Sequence, residues 1–572
     1  MMKHRWLLKP LGDTETVEKL SQDLNVETEI AQLLVQRGIN TYEEARVFFR
    51  PKLSDLHDPF LMKDMDKAVD RLLYAIKNSE KILIYGDYDV DGTTAVATIY
   101  NYLTRNYQNI EYYIPDRYQE GYGLSFKGID YAEEINCKLI ITVDCGIKAI
   151  EKTNYANKKN IDLIICDHHT PGSELPNACA ILDPKREDCN YPYKELSGCG
   201  VAFKLLQAYC QKTNDSFEKL VRLLDLVVVS IGSDIVPITG ENRTLAYFGL
   251  LQLNTNPQPG LKSIINIAGL ENKEIQINDI VFKIGPRINA AGRLETGKTA
   301  VELLTSTNVE YVNKIALEID CINTNRKELD AEITEHALSM INESEISKNA
   351  FSTIVYHEEW HKGVIGIVAS RLTETYYRPT VVFTKSNDII TGSARSVPGY
   401  NLYDAIEACG DLLENFGGHR YAAGLSLKPE NLNAFKERFE KYVMETITPE
   451  QRTPVINADL EIKIKDITPK FFRILKQFAP FGPENMTPTF ITRKIFDNGS
   501  VKIVGKDEEH LKLKIVQRLG DNRCIDAIGF NFAHYYEHIK DFNEFDICYQ
   551  IFENNFMNQK FIQILIKDIL TD

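Results

Sequence analysis

Four apolar runs along this chain end on carboxylates or imidazoles, and that repeated pattern restricts the fold more tightly than any bulk property. Lys81-Ile-Leu-Ile-Tyr-Gly86 leads into Asp87, Asp89 and Asp91, packed within five residues ahead of Gly92 and a helical pattern. Asp144 follows Leu139-Ile-Ile-Thr-Val143, and Asp167-His168-His169 follows Ile161-Asp-Leu-Ile-Ile-Cys166. Asp234 follows Leu226-Val-Val-Val-Ser-Ile-Gly-Ser233. The first run reads as a buried strand with metal-binding chemistry at its tip, and the other three repeat it. In an open α/β sheet, ligands bind outside the carboxyl ends of the strands. Carboxylates this close repel one another unless a cation sits among them. A donor set of carboxylates and imidazole suits Mn2+ or Mg2+ better than zinc, which favours Cys and more His.

The surrounding pattern divides the chain. Residues 1–50 read as short helical pieces, with Ile30-Ala-Gln-Leu-Leu-Val-Gln-Arg-Gly38 ending on a C-cap glycine. From 51 to 265, apolar runs alternate with amphipathic helical patterns, which implies βαβ units and a mainly parallel sheet. Residues 266–348 form a connector: Lys298 to Lys362 holds neither Gly nor Pro, and Val309 to Ser344 has the periodicity of one long helix. Ser352-Thr-Ile-Val-Tyr356 and Pro379-Thr-Val-Val-Phe-Thr384 predict strands of a second α/β domain over 349–450. Leu511-Lys-Leu-Lys-Ile515 and Phe561-Ile-Gln-Ile-Leu-Ile-Lys567 predict a compact β domain over 455–572.

Composition excludes little but helps with compartment and partner. The 572 residues are 44% hydrophobic and 26% charged, ordinary for a globular protein. No apolar run approaches the roughly eighteen residues that span a bilayer. The opening Met1-Met-Lys-His-Arg-Trp-Leu-Leu-Lys-Pro10 lacks the apolar core of a secretory signal. Eleven cysteines show no Cys-x-x-Cys spacing, so the expectation is reduced thiols in the cytoplasm. The net charge of −15 would argue against nucleic acid, but binding needs only a local basic surface. Residues 455–518 carry 12 Lys/Arg against 8 Asp/Glu, so the C-terminal block can provide one.

These segments resemble the DHH phosphoesterase superfamily and, within it, the RecJ family of bacterial single-strand-specific exonucleases. The likeness extends to Ile114-Pro-Asp-Arg-Tyr-Gln-Glu-Gly-Tyr-Gly-Leu124, Gly285-Pro-Arg-Ile-Asn-Ala-Ala-Gly-Arg-Leu294, the stretch Trp360 to Leu372, Gly392-Ser-Ala-Arg-Ser396 and Phe416-Gly-Gly-His419. The resemblance implies a DHH domain with a mainly parallel sheet, a helical connector, a DHH-associated α/β domain and a C-terminal β-barrel of the OB-fold type. It places the active site in the cleft between the first two large domains. Two Mn2+ or Mg2+ ions are implied: Asp144 bridging, Asp89 holding the first, and Asp91, His168 and Asp234 holding the second. Asp87 is a ligand of the first metal or a partner to it, and His169 contacts the scissile phosphate or leaving group. Many superfamily members carry a ligand His four positions before Asp89, where this chain has Tyr85.

Two divalent ions about 4 Å apart activate water for in-line attack on phosphorus and stabilise the leaving oxygen, so no covalent nucleophile is required. Cys145, beside Asp144, reads as a small buried residue under the site rather than a nucleophile. Arg117, Arg287, Arg293 and Arg395 are candidate phosphate ligands, since guanidinium grips phosphate bidentately. Each could instead pair with a carboxylate. Asn289, Ser393 and His419 add donors, and Gly417-Gly418 allows close backbone approach. Trp360 and the Phe478-Ala-Pro-Phe481 turn could stack bases, with core packing the alternative for Phe478.

The resemblance implies 5′→3′ degradation of single-stranded DNA to 5′-mononucleotides in recombination and repair. The implied partners are single-stranded DNA, a single-strand-binding protein and a helicase; the protein is expected to be monomeric and away from membranes. One rival is another DHH phosphoesterase acting on oligoribonucleotides, cyclic dinucleotides or pyrophosphate; such enzymes are generally shorter and lack the C-terminal β domain. The other rival is a non-catalytic DNA-binding replication factor, which loss of metal ligands would mark. Here every expected carboxylate and histidine is present.

Overall fold

The computed structural model describes residues 4–117, 119–294, 297–556 and 559–571. It separates into two compact units, Lys9–Ile322 with Ala458–Asp572, and Met1–Leu8 with Asn323–Asn457.

In the larger unit the strands β1 (Lys81–Gly86), β2 (Ile110–Tyr113), β3 (Cys137–Val143), β4 (Asp162–Cys166) and β5 (Ala180–Leu182) form one sheet in the order β2-β1-β3-β4-β5. Every pairing is parallel. Ile82, Leu83, Ile84, Leu139, Ile140, Ile141, Leu163 and Ile164 are fully buried, because helices cover both faces. The chain turns back between β1 and β3, and a crevice opens at the carboxyl ends where strand order reverses. Helices α1 (Val90–Leu103), α2 (Gly198–Thr213) and α3 (Leu224–Ser233) pack together beside this crevice.

The expectation that the run ending at Ser233 is a strand is corrected: Leu224–Ser233 is a helix. Its residues from Leu224 to Gly232 are buried all round, so apolar content has no periodicity to separate strand from helix. Asp234 is the C-cap of that helix and still reaches the same crevice.

Helix α4 (Gly285–Leu294) follows a π-helical turn over Ile280–Ile284. Helix α5 (Val309–Asn342) is the long helix its periodicity predicts, and the boundary between the two units falls within it.

The C-terminal part of the larger unit contains β11 (Thr489–Asp497), β12 (Lys502–Val504), β13 (His510–Val516), β14 (Ile525–Gly529), β15 (Phe545–Phe556) and β16 (Gln559–Leu570). The pairings β11-β15-β16-β14-β13 return to β11, closing a five-stranded barrel with β12 on its edge. The N-terminal helices share this barrel's core: Val17, Leu20, Ile30, Leu34 and Phe48 lie in one apolar cluster with Phe471, Phe478, Phe490 and Ile547.

The smaller unit holds a five-stranded sheet in the order β9-β10-β8-β7-β6, from β6 (Thr353–Tyr356), β7 (Thr380–Ser386), β8 (Ile389–Arg395), β9 (Asn415–His419) and β10 (Ala422–Leu427). Helix α6 (Ile365–Tyr376) packs against β7 and β8. Among the described residues, no helix is long and apolar enough to cross a membrane.

Candidate active site

The loop after β1 carries three carboxylates with three different local supports. Asp87 is buried; its Oδ1 accepts from the Gly123 amide at 3.4 Å, while Oδ2 is buried with no hydrogen-bond partner among the described residues. Asp89 caps α1, accepting from the Gly92 amide at 3.0 Å. Asp91 receives the Gly198 and Cys199 amides, both at 2.7 Å, and the Ser230 hydroxyl at 2.7 Å. The first two amides of α2 are therefore spent on this one carboxylate, while the third, Gly200, bonds the Ser197 hydroxyl, in keeping with the positive end of a helix dipole.

Asp144, at the tip of β3, adopts a left-handed backbone with φ 58°. Gly198 lies against it so closely that a Cβ there would come within 2.6 Å of the Asp144 Cβ. From the tip of β4, His168 Nε2 lies 3.1 Å from Asp144 Oδ1, 3.7 Å from Asp91 Oδ2 and 3.7 Å from Asp234 Oδ2. Asp91, His168 and Asp234 each place one ligand atom within 4.8 Å of the others, and Asp144, His168 and His169 do the same. Asp167 accepts from the amides of Ile147, His168 and His169, and its Oδ1 lies 2.7 Å from His169 Nδ1.

Electrostatics make this a cation site. Burial and the Asp89 charge push the Asp87 carboxyl up to about 8, and burial with the Asp91 and Asp89 charges does the same to Asp234. Burial, Asp91 and Asp89 push Asp144 well above the carboxylate range. Asp167 behaves oppositely: burial raises it, but the His169 hydrogen bond and charge hold it below its ordinary value. An orphaned buried oxygen on Asp87, crowded carboxylates and one central imidazole fit hard divalent cations.

A prediction follows for the metal-free protein. The folded-state carboxyls of Asp87 and Asp234 titrate above their unfolded value of about 4, so the folded state binds more protons between about pH 4 and pH 8. Stability should therefore fall as pH rises through that window and recover on adding Mn2+. Thermal melts with chelator and with Mn2+ check it; a flat chelator profile counts against the carboxylate cluster.

The remaining candidates are placed as follows. Tyr85 is buried, and its hydroxyl donates to the Gly123 carbonyl at 2.9 Å and accepts the Ser125 amide at 3.1 Å, so it is committed to the loop beneath the site. Cys145 is buried, and burial pushes its thiol far up, which suits a packing role. The Arg117 guanidinium lies 5.1 Å over the Tyr88 ring, and its charge acts on Asp87. Helix α4 presses onto the same loop: a Cβ on Gly292 would lie 2.4 Å from the Tyr88 carbonyl oxygen. On that helix Asn289 is half-buried, and Arg287 pairs with Asp320 at 2.8 Å, the carboxylate-bound alternative for that arginine. The side chain of Arg293 lies outside the described residues.

In the smaller unit, Ser393 and Arg395 share a face of β8, with Arg395 Nη1 donating to Ser393 Oγ at 3.0 Å. Burial lowers this guanidinium from its ordinary value, and among the described residues no carboxylate pairs with it. Arg395 is in register with Ala422 and then His419, and Ser393 with Gly424 and then Gly417. Among the described residues nothing lies within 4 Å of a Cβ placed on Gly417 or Gly424, whereas Gly366 of α6 lies against the Ser393 and Arg395 side chains, so the face is open only on the β9–β10 side. The base-stacking expectation is corrected for Trp360, which is buried and donates to His336 Nδ1 at 3.4 Å. Phe478 is fully buried between Phe48 and Phe49, so it packs the core.

Reasoning from the sequence passed over Ser197, Gly198 and Ser230, which hold Asp91 and Asp144, and Lys185, whose charge acts on His168 and Asp234. Ser197 had a legible signal, an N-cap serine ahead of an apolar helix.

Comparison with known proteins agrees with this architecture. The DHH family, N-terminal domain, matches residues 81–231; the DHHA1 domain matches 348–445; the RecJ OB domain matches 458–568. The chain is 37% identical over 569 residues to the single-stranded-DNA-specific exonuclease RecJ of Bacillus subtilis (strain 168), covering 99% of this chain and 71% of that protein. To its Escherichia coli (strain K12) counterpart it is 33% identical over 526 residues, covering 89% and 90%. The crystal structure of RecJ in complex with Mn2+ from Thermus thermophilus matches the fold with a TM-score of 0.84 at 24% identity, over 99% of this chain and 80% of that one. A second crystal structure, exonuclease RecJ bound to manganese, matches at 29% identity with a TM-score of 0.61, over 70% and 98%. With a carboxylate–imidazole crevice on a parallel sheet, a second α/β unit and a closed C-terminal barrel in the family's order, the chain belongs to the RecJ family.

Proposed function

We propose that this protein is a metal-dependent exonuclease that degrades single-stranded DNA from the 5′ end to 5′-mononucleotides, in recombination and repair. The carrying observation is the meeting of Asp91, Asp144, His168 and Asp234 around one point in a RecJ-family chain. Two Mn2+ or Mg2+ ions, held by Asp87, Asp89 and Asp144 and by Asp91, Asp144, His168 and Asp234, would supply activated water and charge stabilisation for phosphodiester hydrolysis.

The protein's own groups set the geometry. The α2 amides and Ser230 hold Asp91 in place, and Asp167 fixes the His169 ring by Nδ1 so that Nε2 can serve the scissile phosphate or leaving group. Within this reading, residues 51–265 carry the chemistry, 266–348 connect, 349–450 contribute phosphate contacts, and 455–572, with the 1–50 helices on its core, holds the strand. Partnership with a single-strand-binding protein and a helicase, a monomeric state and a cytoplasmic location belong to the same reading. The test is incubation with Mn2+ of 5′- and 3′-labelled single strands, duplex and RNA. Mononucleotides from the 5′ end of DNA are expected, abolished by chelator; release from the 3′ end first, or preference for RNA, overturns the proposal.

Two predictions concern the grip on DNA. Arg395 has no carboxylate partner among the described residues and lies beside the open glycines of β9 and β10, so it is available to a terminal 5′-phosphate. Arg395→Ala should cost about 1.5–3 kcal/mol of binding, with the larger penalty on 5′-phosphorylated strands. Equal penalties on 5′-phosphate and 5′-hydroxyl strands would pass end recognition to Arg117 or Arg293. On the barrel, Lys502 and Lys512 face each other across β12 and β13, a like-charged pair that favours an anion between them. Replacing both with Gln should weaken single-strand affinity and reduce the slope of log K against log salt by about 0.7 for each phosphate no longer neutralised. An unchanged slope removes these lysines from the binding surface.

A further inference from the structure

The loop that follows β2 is held together by one carboxylate. The Glu120 side chain is only 5% exposed. Its Oε1 accepts the Asp116 amide at 2.9 Å, its Oε2 accepts the Ser125 hydroxyl at 2.6 Å, and the Tyr113 hydroxyl lies 3.0 Å from both oxygens. The Glu120 amide returns to the Asp116 carbonyl at 2.9 Å, and Asp116 Oδ1 accepts the Gln119 amide at 2.8 Å. Residues 116–120 therefore close into one turn with reciprocal side-chain caps, the device that starts a helix. A carboxylate buried on three protein donors is a built contact.

Its donors are themselves fixed. Tyr113 ends β2, and its ring stacks on Tyr85 of β1 at 5.4 Å. Ser125 caps the helix Phe126–Glu134, accepting the Gly128 amide at 2.9 Å, and its own amide donates to the Tyr85 hydroxyl at 3.1 Å. Lys127 lies 3.9 Å from Glu120 but is largely exposed, so a screened ion pair adds little. What the closed turn carries is Arg117, the residue after Asp116. The Arg117 guanidinium lies over the Tyr88 ring, on the loop of metal-site carboxylates. A long side chain delivers its charge to one place only when its backbone is fixed.

We infer that Glu120 is a positioning residue for Arg117, closing the turn that presents this guanidinium to a substrate phosphate. The assignment rests on the hydrolytic reading above. The competing role is architectural, a glutamate that merely joins the end of β2 to the helix begun at Ser125.

Glu120→Gln keeps the shape but sets an NH2 group against three donors. With saturating Mn2+ and a 5′-labelled strand, KM should rise about tenfold or more, while kcat stays within about threefold, the pattern of lost uniform binding. Mn2+ affinity measured by calorimetry should stay within about twofold. In an Arg117→Ala background the same change should cost less than about a further twofold, because residues that act as one unit are not additive. Tyr113→Phe removes one of the three donors and keeps the ring; it should raise KM in the same direction by less, and it carries the test if Glu120→Gln does not fold. An unchanged KM, a full additive loss in the Arg117→Ala background or weakened Mn2+ binding overturns the assignment. If the wild-type protein cleaves no strand, the hydrolytic reading fails. Single-strand affinity by fluorescence anisotropy across the two single variants and the double then decides the pairing on its own: non-additive losses uphold it and additive ones sink it.

Discussion

Asp144→Ala is expected to abolish hydrolysis, with a loss exceeding about a thousandfold, the scale of removing a central electrostatic element. Asp144 is where the site's supports meet. Its Oδ1 faces His168 Nε2 at 3.1 Å, its backbone carbonyl takes the Tyr122 hydroxyl, and Gly198 presses on its Cβ. Asp91 cannot move into its place, since it is held by two amides and a hydroxyl. The fold should persist, because removing a carboxylate whose ionisation is opposed by burial and its carboxylate neighbours relieves repulsion in the metal-free state. The left-handed backbone adds a complication for alanine, worth about 1–2 kcal/mol, so Asp144→Asn, which tolerates that conformation, is the companion variant. Circular dichroism and Mn2+ calorimetry should find both variants folded and poor at binding metal. A folded variant within about tenfold of wild-type turnover ends the bridging assignment.

His169→Ala should give nearly as large a loss by a different route. The resemblance assigns His169 to the phosphate or leaving group, and the structure ties its Nδ1 to Asp167. A positioned acid–base group contributes about a hundred- to ten-thousandfold, and turnover should fall on that scale. Mn2+ affinity should change little, since His168 holds the central place among Asp91, Asp144 and Asp234. His169 does lie within ligand distance of Asp144 and His168. Calorimetry showing lost metal affinity in His169→Ala would therefore make it a ligand and reverse the division of labour between the two histidines.

The parts of this architecture that show in the sequence are those with a local cause. Strands β1, β3 and β4 are short apolar runs, and their tips carry Asp87, Asp144 and Asp167-His168-His169 where the chain leaves the sheet. The long helix shows because no Gly or Pro interrupts it. The helix before Asp234 misleads because burial on every side erases periodicity. Trp360 misleads because an indole looks the same in sequence whether its N–H finds His336 or a base stacks on its face. The supports of Asp91 come from Ser197, Gly198 and Ser230, more than a hundred positions away. Only the packing of α2 and α3 against α1 brings them there, and no window of sequence contains that arrangement.

The shared core of the N-terminal helices and the C-terminal barrel bears on how the molecule is made. Leu20, Ile30 and Phe48 leave the ribosome more than four hundred residues before the barrel residues that bury them. Between the two, the chain must thread the whole smaller unit, so this core has very high sequence separation and should form late. Until it does, the emerging chain displays an apolar helical face beside an already formed parallel sheet. A premature stop anywhere in the barrel would thus strand both ends of the larger unit. Chaperone dependence and poor yield of C-terminally shortened chains are the natural outcome, even where every residue of the crevice is present.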